Sequence, residues 1–405
     1  MTNTIPLDNS AQNNQDIQEW KSIIAGTLLT ACGVIVYMLM PLHIGAMMSK
    51  LSLTTAQAGL LSGSEYYAIG IASLFGPLWI HRFNWQKVAL FAATMACVGH
   101  IATILLDNFA LIVIARIFTG LFGEGILYAI SFAVLAETRN PDRSFGIAIA
   151  VSSLIAAIAV WNSSLLLELF GRNSMVVALL SITITLFTVI KFTPMGSKKT
   201  PHCIPNTNTN PRYRPWIPIT GLTVLTLWFV GPGGFWTFGE RIADSQGISN
   251  TEISTVFALT AGLATLGPLL AAGIGERLGR IWPVVLPSII MTLAVWAFSS
   301  NIISHAFMPS LITFSILMGV SSVYLFGLIA IIDTTGRLNV LIPAFQSIGE
   351  GTGPLIMGIL VGSYGYDAVG WSYAVFTTIA LLMFFPVVIR VRKTNSARNG
   401  ALDTQ

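Results

Sequence analysis

Charge is what this chain has least of. Only 9% of its 405 residues are Asp, Glu, Lys or Arg, where a soluble domain carries about a quarter. That scarcity excludes a solvated globular exterior, and 54% hydrophobic residues with a mean hydropathy of +0.74 agree with it. Cysteine is scarcer still. Cys32 and Cys97 fall in apolar runs and Cys203 in a polar loop, a placement that gives neither a disulfide framework nor a metal site. The five histidines (His43, His81, His100, His202 and His305) lack metal-ligand spacing. A phosphate-cradling Gly-Lys-Ser/Thr loop is missing, which argues against ATP drive. Ser and His form no nucleophile arrangement. No catalytic residue, cofactor or metal is therefore expected, and no enzyme activity. Residues 1–20 are polar and mildly acidic, without a basic n-region or cleavage site, so no signal peptide is expected. The pI near 9.0 has no soluble domain to display it, which disfavours nucleic acid as a partner.

Long apolar runs are what the chain has instead. Twelve can be read, at 24–46, 57–79, 88–107, 109–133, 145–167, 174–194, 217–239, 253–274, 281–301, 309–332, 340–363 and 368–390. Each is long enough to cross a ~30 Å hydrocarbon core as a helix. The basic residues are sorted between the connecting segments. Of 21 Lys and Arg, 17 fall in the N-terminal tail, the even-to-odd loops and the C-terminal tail or, for Lys191 and Arg390, at the span ends that open into them. Lys50, Arg172 and Arg241 alone fall in the opposite loops, and Arg116 lies inside a span. Basic residues of short loops stay on the cytoplasmic side. The pattern predicts a multi-pass protein of the cytoplasmic (inner or plasma) membrane, with the lipid bilayer around it and both termini cytoplasmic.

The one sizeable polar interior stretch, 195–215, falls after span six and reads as a cytoplasmic linker. It divides the chain into an N-terminal tail (1–20), a six-helix bundle (21–194), the linker, a second bundle (216–392) and a C-terminal tail (393–405). Weak internal symmetry supports the division. Arg82 precedes Arg277 by 195 residues, and Gly171, closing span five, precedes Gly365, closing span eleven, by 194. A repeat of half the chain length is the signature of a transporter built from two bundles with its site between them.

Local motifs sharpen the reading. Gly275-Glu276-Arg277-Leu278-Gly279-Arg280, between spans eight and nine, is similar to the acidic–Arg–x–Gly–Arg loop of the major facilitator superfamily. Arg116-Ile117-Phe118-Thr119-Gly120 resembles an Arg-x-x-x-Gly motif of many proton-coupled members. The counterpart loop after span two is degenerate, with His81 where the acid would stand and Asn84 where the Gly would stand; Arg82 is retained. Span five lacks the Gly-Pro-x-x-x-Gly motif of drug antiporters, although Gly353-Pro354-Leu355-Ile356-Met357-Gly358 occurs in span eleven. The resemblance covers residues 20–393. It implies an all-α membrane fold of twelve transmembrane helices in two pseudo-symmetric six-helix bundles, working by alternating access. It also implies that Arg82, Glu276, Arg277 and Arg280 take part in gating, and that spans one, four, seven and ten line the cavity.

Ionisable groups in hydrocarbon need a partner or water. Four matter here: Glu65 in span two, Arg116 and Glu124 in span four, and Glu350 in span eleven. Glu65 and Arg116 lie about 12 and 10 Å below the same face, counted by helix rise, so a Glu65–Arg116 pair is expected, either static or tuning a proton site. Glu124, eight residues after Arg116, should lie about 80° around the helix, serving as a relay or as a structural hydrogen bond. Glu350 sits near mid-membrane between Gly349 and Gly351, and is a candidate proton carrier or a permanently protonated donor.

Span seven carries Gly231-Pro232-Gly233-Gly234, read here as a flexible break and gate, because Pro removes a donor and Gly loosens the helix. Tyr37, Tyr128, Trp228, Trp236 and Tyr324 then become candidate cavity residues, with Trp161, Asn162 and Gln346 as further substrate contacts. Rings with few charges predict a small apolar, aromatic or amphiphilic organic substrate; the buried acids and the resemblance imply that a monomeric carrier moves it with protons. Within the class, efflux antiport of drugs or metabolites competes with uptake symport of an organic acid. A transporter-like receptor or assembly factor that moves nothing is the alternative from another class.

The orientation predicts that a single cysteine at Asn208, in a cysteine-free background, escapes an impermeant thiol reagent in intact cells and reacts after lysis. Efficient labelling from outside would reverse the assigned topology.

Overall fold

The computed structural model describes residues 9–80, 82–139, 141–196, 216–275, 277–301, 306–333, 338 and 341–402. Among these residues all regular structure is helical. The first half holds α1 (Asn9–Leu51), α2 (Thr55–Trp79), α3 (Trp85–Leu105), α4 (Phe109–Thr119), α5 (Gly125–Ala136), α6 (Pro141–Trp161), α7 (Ser163–Phe170) and α8 (Ser174–Val189). The second holds α9 (Trp216–Ser245), α10 (Asn250–Leu263), α11 (Leu266–Ile274), α12 (Trp282–Ser299), α13 (Phe307–Ile332), α14 (Ile342–Tyr364) and α15 (Asp367–Leu402). Residues 197–215 of the expected linker lie outside the described set, as do His81, His202, Cys203, Asn208 and Glu276.

Sequence signals set the helix ends. Thr54 opens α2 with a capping box to Gln57, and the Asn84, Asn108 and Ser249 side chains cap α3, α4 and α10. Gly171 and Gly365, the pair 194 residues apart, both close their helices with positive φ, at 56° and 73°, where a Cβ would be strained. Two expected spans are interrupted. Span five breaks at Asn162, between α6 and α7, and span eight at Ala264–Thr265, between α10 and α11.

Among the described residues, ten helical stretches are long and apolar enough to cross a membrane. The two expected spans outside that set are α2 and α14, which have the length but carry Ser, Thr, Tyr, Gln and Glu among glycines. These least apolar helices pack on each other, and α14 packs also on α9. Their polar atoms are thereby kept from lipid, while Phe75, Leu154, Leu269 and Leu382 stay exposed for it. The fit is backbone to backbone. A Cβ on Gly59 would strike the Pro354 carbonyl, and one on Gly358 would strike that of Thr55. Thr55 donates to Gly358 O at 2.8 Å, and Tyr67 Oη meets Thr352 Oγ1 at 2.8 Å.

Further hydrogen bonds join the halves. Arg241 donates to Ser49 Oγ at 3.1 Å, Trp236 Nε1 to Tyr37 O at 2.7 Å, and Ser163 to Ser254 Oγ at 2.8 Å.

Span seven corrects the sequence expectation. α9 runs unbroken from Trp216 to Ser245 through Pro232. The glycines serve approach instead of flexibility. A Cβ on Gly233 would enter the Glu350 backbone, one on Gly234 the Met357 sulfur, and one on Gly231 would press on the Tyr373 ring. Buried on every side, the helix keeps its form although Pro232 donates no bond, because the neighbours hold it.

Gly349→Ala should therefore lower thermal stability in detergent by the equivalent of about 1–3 kcal/mol, the usual cost of overpacking, since its Cβ would meet the Thr226 carbonyl. Gly262→Ala, with nothing within 4 Å, should leave the melting temperature unchanged. Equal behaviour of the two variants would refute the close-approach role.

Candidate functional site

The intramembrane charges sort into two places, one on each side of α2. The first is inside the N-terminal half. Arg116, fully buried on α4, donates from Nε to Glu65 Oε2 at 2.9 Å and from a terminal nitrogen to Glu65 Oε1. Its other terminal nitrogen lies 3.1 Å from His100 Nδ1 on α3, and Glu124 Oε1 lies 3.5 Å from the guanidinium. His100 Nε2 stands 3.8 Å from Glu124 Oε1, closing a buried tetrad of Glu65, His100, Arg116 and Glu124.

Glu124 belongs to this tetrad because α4 and α5 are joined by a π turn, Gly120–Glu124. On a regular helix the eight residues from Arg116 would leave Glu124 about 80° away. The extra residue of a π turn slips the register back by about 100°, so both side chains face α2 and α3. Glycine makes the turn fit: a Cβ on Gly123 would press on Ala96, and one on Gly125 on Ala72. The expected 80° offset is thus corrected by a backbone feature with no residue-level signature.

Motif reasoning misses His100, which stands alone in its span. Depth finds it: it lies seven residues from the end of its span at 107, as Arg116 lies seven from the start of its span at 109. His43 on α1 also lies within electrostatic reach of Arg116 and His100, is 2% exposed, and has both ring nitrogens unpartnered.

The second place is the seam between the halves. Glu350 of α14 is 6% exposed; Gln346 Nε2 donates to its Oε1 at 3.1 Å, and its Oε2 has no partner. Tyr37 and Tyr66 stack nearby with centroids 4.5 Å apart, and Tyr37 Oη meets Ser347 Oγ at 2.8 Å. Tyr37, Tyr66 and Tyr128 all lie within electrostatic reach of Glu350. Trp236 joins them through its bond to Tyr37 O and stacks on Phe314 at 6.1 Å.

Other candidates lie elsewhere. Trp228 is buried within the second half, donating to Ser288 Oγ at 2.9 Å, and so does not face the seam. Tyr324 donates to Gly275 O at 2.6 Å, tying α13 to the end of α11. Trp161 is 65% exposed at the α6–α7 break, where Asn162 donates to Ile158 O at 2.8 Å. Of the expected gating residues, Arg82 and Arg277 are exposed. Arg280 lies against Gly327, and Gly279 turns the loop with φ of 65°.

The family model of the Major Facilitator Superfamily matches residues 23–332 and 222–404. Solved structures share the fold. A D-xylose–proton symporter superposes with a TM-score of 0.71 at 13% identity, covering 90% of this chain and 95% of that one. A point mutant of the nucleoside transporter NupG gives 0.69 at 12%, covering 91% and 99%. A bacterial homologue of the human lysosomal transporter Spinster, inward-facing and unoccupied, gives 0.66 at 14%, covering 94% and 98%. No curated protein matches.

The tetrad makes a stability prediction. Arg116→Ala leaves two buried carboxylates facing each other and should cost roughly 3–5 kcal/mol, as for a broken buried pair. Glu65→Gln combined with Arg116→Gln removes charge of both signs and should recover much of the lost melting temperature. A double variant no better than Arg116→Ala would show that the ion pair is not what holds α2 to α4.

Proposed function

Since the chain belongs to the Major Facilitator Superfamily, we propose that it is a proton-coupled secondary transporter. It moves a small organic solute with an apolar, aromatic or amphiphilic body through a cytoplasmic membrane, as a monomer with both termini cytoplasmic. The observation that carries this reading is Glu350: a carboxyl group buried between the two halves, with one oxygen unpartnered. Alternating access exposes such a seam to each side in turn, and a carboxyl there can take a proton from one side and give it to the other.

The tetrad supports the same reading by charge count. Arg116 contributes +1 and ionised Glu65 and Glu124 contribute −2, so with neutral His100 the group is one proton short of neutrality. Charge in a low-dielectric interior is costly, and Glu124 Oε2 in this group has no partner. Glu65 and Tyr66 are adjacent on α2 and face the tetrad and the seam respectively. A shift of α2 therefore moves both. Trp236, Gln346 and the three tyrosines supply substrate contact, and the α9 glycines let α9 and α14 move as one close-packed pair.

The test is transport in proteoliposomes with a panel of labelled pentoses, nucleosides, aromatic acids and aromatic amines. The wild type should accumulate at least one of them under a pH gradient. Glu350→Gln, which cannot release a proton, should abolish accumulation entirely. Driven transport that persists in Glu350→Gln with its pH dependence intact would remove Glu350 from the coupling role.

A further inference from the structure

The four intramembrane charges are unequally provided for. Glu65 and Glu124 share Arg116, and each guanidinium nitrogen has one of them or His100 as a partner. Glu350 has no such counter-ion. Its one bonded oxygen accepts from an uncharged amide, and the other faces no donor. Among the described residues, the titratable groups within its electrostatic reach are the phenols Tyr37 of α1, Tyr66 of α2 and Tyr128 of α5. On the α9 side it is the Glu350 main chain that packs on Gly233, and the Tyr373 ring of α15 packs on Gly231. Among the described residues no Lys, Arg or His hydrogen-bonds or ion-pairs with the Glu350 carboxyl.

An acid buried this way is balanced only by a cation that comes from outside. A proton is one such cation. The surroundings suit a second. Tyrosine faces attract ammonium and guanidinium groups, and Tyr37 and Tyr66, stacked at 4.5 Å, lie within electrostatic reach of the carboxyl. The Trp236 and Phe314 rings extend an apolar wall from Tyr37. Among the described residues no basic group bonds Glu350 that could receive an anionic solute there, and a neutral polyol could donate hydroxyl groups to Oε2 but would leave the carboxylate charge unbalanced.

We propose that Glu350 and its tyrosines bind an organic cation, an ammonium or amidinium group on an aromatic or apolar body, in exchange for the proton on Glu350. The inference rests on the transport reading above and gives it a substrate class and a direction. Binding breaks the Glu350 O–H bond, the proton leaves to water, and the carboxylate pairs with the substrate cation. Release reverses the step. One carboxyl cannot hold both, so the cycle swaps one proton for one cation, and an inward proton gradient drives the cation out.

The probes are tetraphenylphosphonium, benzyltrimethylammonium and N-methylacridinium, whose fixed charges carry no proton of their own. They are added to purified protein in lightly buffered detergent, with tetraphenylborate as the anion of matching shape. At least one cation should bind and release about one proton per protein, with affinity rising as pH rises while Glu350 is protonated. Glu350→Gln should weaken binding tenfold or more and release none; Glu350→Asp should restore proton release. Tyr66→Leu should weaken binding threefold or more while keeping proton release, a readout that stands if Glu350→Gln fails to fold. No proton release from wild type with any of the three cations, or tetraphenylborate binding with the same Glu350 dependence, would overturn the cation site. Loss of driven transport of a neutral solute in Glu350→Gln, with cation binding unaffected, leaves proton coupling standing and removes this inference. Cation-for-proton exchange on the protein without any solute accumulation in vesicles keeps the site and removes the transport reading.

Discussion

A guanidinium in hydrocarbon must bring its anions with it, and the N-terminal half is arranged around that constraint. Arg116 recruits a carboxylate from α2, another from the π turn that follows α4, and an imidazole from α3. Three spans are thereby pinned at one depth. The π turn is the local deviation that makes this workable, since without it Glu124 would point away from the cation it balances. Removing one member of such a group strands the others, so its members stand or fall together.

Among the described residues the second half has no fully buried cation grouped with carboxylates in this way, and it meets the first through glycine. α2, α14 and α9 lie backbone against backbone, with Gly59, Gly233 and Gly358 at positions where a methyl group would collide with a neighbouring main chain. Spans too polar to face lipid are accepted because they face each other. The same seam holds Glu350 and the stacked tyrosines, so the surfaces that must slide or part during a transport cycle carry the chemistry as well. Small residues suit both needs: they give close contact without interlocking side chains.

Much of this was legible in the chain. Depth counting along predicted spans brings Glu65 and Arg116 together, and the 194-residue spacing of Gly171 and Gly365 identifies two helix ends with the same positive-φ closure. The same counting applied to His100 completes three corners of the tetrad. Aromatic residues are less readable. Trp228 and Trp236 are two turns apart on one helix, yet one packs inside the second half on Ser288 and the other crosses to Tyr37. Composition assigns both to a cavity; only the neighbours of each face separate them. Gly231–Gly234 misleads for a related reason, because the propensity of a Gly-Pro-Gly-Gly run describes an isolated helix and α9 is enclosed by other helices.

What the sequence alone determined is how the chain relates to its solvent: which segments are apolar enough for lipid, where the basic loops fall, and which few charges must be buried. Those follow from transfer free energies that each segment carries by itself. Tertiary structure alone decided which of those buried charges share a counter-ion and which stand without one. That depends on the rotation of each helix about its axis, and a single π turn or a glycine contact changes that rotation without changing hydropathy. Arg116 with two carboxylates and Glu350 with no cation are therefore outcomes of packing, although every residue concerned is visible in the sequence.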